Sequence, residues 1–124
     1  KPKNLPPVAL VKDLPELPRP FEREIYLFST HIAGTTHIEG IEEIVERFTE
    51  AERFFFFREP HNQYDHLAIV VKNQNKEKLG YLPREDNPVF ARLMDAGKEL
   101  FGKLKSVQTR GRWQRIEIDI YLRD

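Results

Sequence analysis

Arg58-Glu59-Pro60-His61-Asn62-Gln63-Tyr64-Asp65-His66-Leu67-Ala68-Ile69 joins an aromatic run, Phe54 to Phe57, to an apolar run of β character, Leu67 to Val71. Aromatic and β-branched residues suit a pleated, half-buried surface, so the two runs read as strands over Arg53–Arg58 and Leu67–Lys72. The polar stretch between them, with Asn62, Tyr64 and Asp65, is then a connecting loop. Loops carry binding groups and the flanking strands fix where those groups point.

Working downstream, Asn73-Gln74-Asn75-Lys76 has turn composition and leads into a fourth strand, Lys78 to Leu82. Asn87-Pro88 opens a helix over Pro88–Ala96, with Asn87 at the cap and proline in the first turn. Val89, Phe90, Leu93 and Met94 form its apolar stripe, and Gly97 is placed to end it. Two further strands, Glu99–Gln108 and Trp113–Leu122, meet through Arg110-Gly111-Arg112. The last alternates without interruption, with Ile116, Ile118, Ile120 and Leu122 on one face and Arg115, Glu117, Asp119 and Tyr121 on the other.

Upstream, Ile41, Ile44, Val45 and Phe48 recur at helical spacing and predict a short amphipathic helix over Ile41–Phe48. Ile25-Tyr26-Leu27-Phe28 reads as a strand buried on both faces. Residues 1–20 hold six prolines, which lack an amide donor and fix φ, so this segment is expected to be an extended arm or linker. The domain proper is expected over 21–124. Six short strands and two short helices make the chain mainly β, and they fit a small, partly closed barrel better than a parallel α/β sheet.

A chain of 124 residues has room for one core. It carries no cysteine, which excludes disulfides and zinc–thiolate sites and fits a reducing compartment. No run approaches the ~20 apolar residues of a membrane span. Twenty basic and twenty acidic side chains balance, which argues against an overall basic coat. The charges are nevertheless segregated: Glu39 to Glu52 is acidic, Lys98 to Arg115 basic. One face is therefore open to local positive potential. Gly-rich phosphate loops, Gly-x-Ser-x-Gly elbows and His-Glu-x-x-His helices do not occur in the chain. His61, Asp65 and His66 make a weak metal set, and Glu117 with Asp119 reads as surface charge, so no catalytic role, metal or cofactor is expected.

Ile32-Ala33-Gly34-Thr35, the block from Arg58-Glu59-Pro60 through Tyr64-Asp65 with Ala68-Ile69, and Gly80-Tyr81-Leu82-Pro83-Arg84 resemble, in order and spacing, the HIRAN domain. The resemblance runs from about Ile25 to Leu122. It implies an OB- or SH3-like six-stranded barrel. Domains of this family are found fused to DNA translocases and nucleases and as stand-alone bacterial proteins. The best-known grip the 3′ end of single-stranded DNA, stacking bases on aromatic rings while a polar pocket senses the terminal hydroxyl.

By that resemblance this chain is expected to be a non-enzymatic, intracellular (bacterial cytoplasmic) module. Its expected partners are a single-stranded DNA 3′ end and a DNA-processing enzyme or domain. Asp65 would accept a hydrogen bond from a 3′-OH and repel a 3′-phosphate. Tyr64 and Tyr81 would stack bases, Asn62 would serve a base edge or sugar, and Arg84 would neutralise a phosphate. Thr36, His37, Arg110, Arg112 and Trp113 complete the expected DNA-binding set. The chain departs from the DNA-gripping pattern at Thr36-His37-Ile38, where an arginine followed by aromatics is usual, and at Leu67, where Asn is usual. The competing reading is a protein-interaction or scaffold domain that has lost DNA affinity.

Overall fold

In a computed structural model of the chain, residues 23–124 are described, and the expected proline-rich arm lies outside them. Six strands form one antiparallel sheet: β1 Glu24–His31, β2 Arg53–Arg58, β3 Ile69–Lys72, β4 Lys78–Tyr81, β5 Glu99–Arg110 and β6 Trp113–Arg123. Their spatial order is β1-β6-β5-β2-β3-β4. Helix α1 covers Ile41–Glu46 and α2 covers Asn87–Asp95, with a single 3-10 turn at Thr35–His37.

The sheet curls until its two ends meet at one point. The chain just beyond β1 pairs with β4, Ala33 N–H donating to Tyr81 O (2.7 Å) and Tyr81 N–H to Ala33 O (2.9 Å). Gly80 permits this closure. Its φ is +153°, and a Cβ there would stand 2.3 Å from the Ala33 carbonyl oxygen. The result is the partly closed barrel expected from the alternation.

Inside lie Phe54 and Phe56 of β2, Ile69 and Val71 of β3, Leu79 of β4, and Ile116, Ile118 and Ile120 of β6. Ile41 and Ile44 of α1 and Phe90 of α2 plug the remaining gaps. Period-two alternation places the strand residues on one face, and burial of each core side chain contributes about 1.5–3 kcal/mol.

Two expectations are corrected. β1 is not buried on both faces: Tyr26 is 54 % and Phe28 41 % exposed. Within the strand order β1 pairs only with β6, and an end strand of an antiparallel sheet can keep one face wet. Nor does Asn87 cap α2. Asp86 holds the cap position, its carboxylate accepting from the Thr30 hydroxyl (2.8 Å), and the Asn87 side chain turns inward to a different task.

Candidate nucleic-acid interface

The loop between β2 and β3 is built around Asn62. Its Oδ1 accepts from the backbone N–H of Tyr64 (2.8 Å) and of Asp65 (3.0 Å), an Asx-type turn, and its Nδ2 donates to Glu59 Oε1 (3.0 Å). The same Glu59 oxygen accepts from the Tyr81 hydroxyl (2.8 Å), which in turn takes a hydrogen bond from Lys78 Nζ (3.0 Å). The Asn62 amide, aided by the Tyr81 hydroxyl and by Lys78 and Lys72, holds Glu59 below its ordinary carboxyl value against the opposing pull of burial.

Arg58 secures the two ends of the loop. It donates to the carbonyls of Ala68 (2.8 Å) and His66 (3.1 Å) and grips the Asp95 carboxylate at the end of α2 with two nitrogens (2.9 and 3.2 Å).

Asp65 is fixed by three elements at once. Its Oδ1 accepts from the N–H of Leu67 (2.9 Å), its Oδ2 from Asn87 Nδ2 (2.8 Å), and Arg84 Nε stands 3.6 Å from Oδ2. The Asn87 amide first, then the Leu67 N–H and the Arg84 charge, keep its pKa lowered, so the group is an anion at neutral pH. A carboxylate offers about four lone-pair positions, so these bonds leave room for one more donor. Arg84, largely exposed, also donates to the Tyr64 carbonyl.

These groups line a cleft of about 420 Å³, Asn62, Tyr64, Asp65, Tyr81 and Arg84 together with Ala33, Gly34, Ala68, Leu82 and Asn87. The Tyr64 ring stands at its mouth, 78 % exposed. A shallow, partly apolar recess with a carboxylate in its wall, an open tyrosine and a long, exposed cation suits a small amphipathic group that bears a hydroxyl and a neighbouring negative charge.

Five expected site residues converge there and five do not. Thr36 and His37 lie exposed on the 3-10 turn just past Gly34, outside the cleft lining. Trp113 opens β6, partly buried and outside the cleft lining, with the Arg115 guanidinium 5.6 Å from its ring centre. Arg110 and Arg112 flank the same hairpin turn and are exposed. This hairpin is tied to the 3-10 turn, where Thr35 Oγ1 donates to Gln114 O (2.8 Å).

Asn62 is also narrowed in role. Both of its acceptor positions serve its own loop. Sequence reasoning missed Glu59 and Asn87 as site builders. Glu59 sits three residues before Asn62, a spacing that permits side-chain pairing, whereas Asn87 carried only the signal of a helix cap. Among the described residues no cluster of three His, Cys, Asp or Glu side chains is placed to hold a metal, and no helix is long and apolar enough to cross a membrane. Glu117 instead accepts from Ser106 (2.8 Å) and Arg115 (3.1 Å).

The barrel order, the Gly80 closure and the β2–β3 loop all fall inside residues 25–123, the stretch matched by the family described as the HIRAN domain. The chain belongs to the HIRAN domain family. Among solved structures, a Lactobacillus plantarum protein shares this HIRAN fold with a TM-score of 0.74 at 26 % identity, covering 82 % of this chain and 96 % of that one. The HIRAN domain of human HLTF aligns with a TM-score of 0.60 at 22 % identity, over 80 % of this chain and 78 % of that one. An NMR structure described as the HLTF HIRAN domain in its DNA-bound conformation aligns at 0.54 and 19 % identity, over 82 % of this chain and 80 % of that one. No curated protein matches the chain.

Proposed function

We propose that this domain is a non-enzymatic module that binds single-stranded DNA and seats a free 3′-hydroxyl in the cleft. The observation that carries this reading is Asp65, an ionised carboxylate held by Asn87 and the Leu67 N–H on the cleft wall beside the open Tyr64 ring. A terminal 3′-OH donates to the remaining lone pair of Asp65. A 3′-phosphate would meet the same charge at close range, where repulsion reaches roughly 4 kcal/mol at an effective dielectric constant near 20. Tyr64 offers its face to the terminal base. Arg84, already turned toward Asp65 and the Tyr64 carbonyl, meets the phosphate that precedes the terminal sugar. A HIRAN relative described in a DNA-bound conformation adds support for DNA as the ligand class.

The test is a titration with short oligonucleotides ending in 3′-OH or 3′-phosphate, repeated at rising salt. The reading expects preference for 3′-OH by tenfold or more and affinity that falls with salt by about one counterion per phosphate contact. Absence of salt-sensitive binding to either oligonucleotide returns the domain to the protein-interaction reading, which the balanced net charge favours.

A further inference from the structure

The outer face of the sheet carries an aromatic belt. Direct cross-strand partners place Phe55, Phe101, Tyr121 and Tyr26 side by side over β2, β5, β6 and β1. Phe57 lies two residues beyond Phe55 on the same face and pairs, through Val70, with Tyr81 of β4. Phe101 and Tyr121 stack at 5.6 Å, and Tyr26 meets Tyr121 edge-on at 5.9 Å.

Cations interleave the rings. Lys78 sits 4.6 Å from the centre of Tyr81, Lys72 5.2 Å from Phe57, and Lys103 4.5 Å from Tyr121. Arg53 and Arg123 both lie over Phe101, at 4.9 and 4.8 Å. The charge is graded along the belt. Glu24 neutralises the far end, within 2.9 Å of Lys103, 3.4 Å of Arg53 and 3.8 Å of Arg123. Among the described residues Lys72 and Lys78, at the cleft end, form no ion pair. Three rings stand open to water, Tyr26 at 54 %, Phe57 at 45 % and Phe55 at 37 % exposed, whereas Phe101 between them is buried beneath Arg53, Arg123 and the Tyr121 ring.

We infer that this belt is a track for single-stranded nucleic acid leading 5′-ward from the cleft. The inference rests on the 3′-end reading above and extends it to the strand upstream of the terminus. Tyr81 belongs to both surfaces, lining the cleft and opening the belt, so a strand leaving the cleft crosses the buried Val70 position of β3 and meets Phe57 and Lys72 next. Bases stack on the open rings, and lysines parked over those rings move to the phosphates. Six strands about 4.8 Å apart give a path of roughly 24 Å, enough for about seven nucleotides at the ~3.4 Å spacing of stacked bases.

The experiment compares 3′-OH oligonucleotides of about three and about nine nucleotides, a range within known single-strand site sizes. Wild type is expected to bind the longer one at least tenfold more tightly. Phe57→Ala and Tyr26→Ala should each remove much of that gain while leaving the shorter oligonucleotide unaffected. Lys72→Gln, which spares the rings, should flatten the salt dependence for the longer one only. Thermal melts establish that each variant is folded, and sedimentation reports its mass in solution. A short oligonucleotide that binds with no gain on lengthening, or a gain indifferent to all three variants, overturns the track and leaves the cleft reading standing. A change in mass on substituting the belt overturns it in favour of a protein interface. Failure of both lengths to bind overturns both readings.

Discussion

Phe54 and Phe56 face the core of the barrel, while Phe55 and Phe57, their neighbours on β2, face water. The four residues are chemically identical, and a strand's two-residue period alone sends them to opposite surfaces. The inner pair belongs to the buried core that also holds Ile116, Ile118 and Ile120, with Phe54 edge-on to Phe48, so its role is stability. The outer pair has cations and open solvent for neighbours, which costs hydration of apolar surface and gives the fold little in return. A single strand thus separates what holds the domain together from what is available to a partner.

The sharpest way to break that contrast is truncation on each side. Phe54→Ala should cost about 3–5 kcal/mol in urea unfolding, since the side chain is fully buried, whereas Phe57→Ala should stay within about 1 kcal/mol. Equal losses would mean that the outer face is also part of the core. Next in size is Arg58→Ala, which removes the donor to the His66 carbonyl and to Asp95 and leaves the Ala68 carbonyl with only the Glu59 N–H. A loss of about 1–3 kcal/mol in the same assay is expected, with a loosened β2–β3 loop.

Asn87→Ala is smaller in stability, about 1 kcal/mol, but reaches the cleft. It removes the main cause of the lowered Asp65 pKa, which should rise toward its ordinary value when followed by NMR titration. An unmoved Asp65 would contradict the assigned hydrogen bond.

Acid dependence is the gentlest effect. The Asp65 and Glu59 carboxyls both titrate below their ordinary values of 3.8 and 4.5. Their stabilising contribution is therefore complete above those values and is lost as pH falls through the lower folded-state pKa. Melting temperatures should be flat from pH 6 to 8 with respect to these groups and decline below about pH 4.5. The decline should be shallower in Asn87→Ala.

The barrel was legible because alternation in Ile116–Leu122, the aromatic β2 and the polar turn at Asn73–Lys76 each state a local rule that the fold obeys. The helices lie within two residues of their expected bounds. What escaped was long-range. Closure through Ala33 and Tyr81 depends on the missing Cβ of Gly80, which no periodicity reports. β1 read as doubly buried because its apolar run is the same whether the outer face is covered or wet.

In the candidate site, the Asn62–Asp65 loop was legible by composition and by family resemblance. Its partner Asn87 was not, since one residue type serves equally as a helix cap and as an amide donor to a distant carboxylate. Trp113 drew notice through its basic neighbours. Those neighbours lie on its own hairpin, and the cleft is assembled from other segments.

The central claim is that Asp65 discriminates the chemistry of a 3′ end, and the ratio of affinities for 3′-OH and 3′-phosphate oligonucleotides measures it directly. Asp65→Asn keeps the shape and removes the charge. An amide oxygen can serve either Asn87 or the Leu67 N–H but not both as the carboxylate does, so some loosening of the loop will weaken both ligands together. The ratio cancels that common loss. The account predicts a wild-type ratio of about ten or more that falls toward one in Asp65→Asn at neutral pH. A wild-type ratio near one, or a high ratio that survives the substitution, would contradict it.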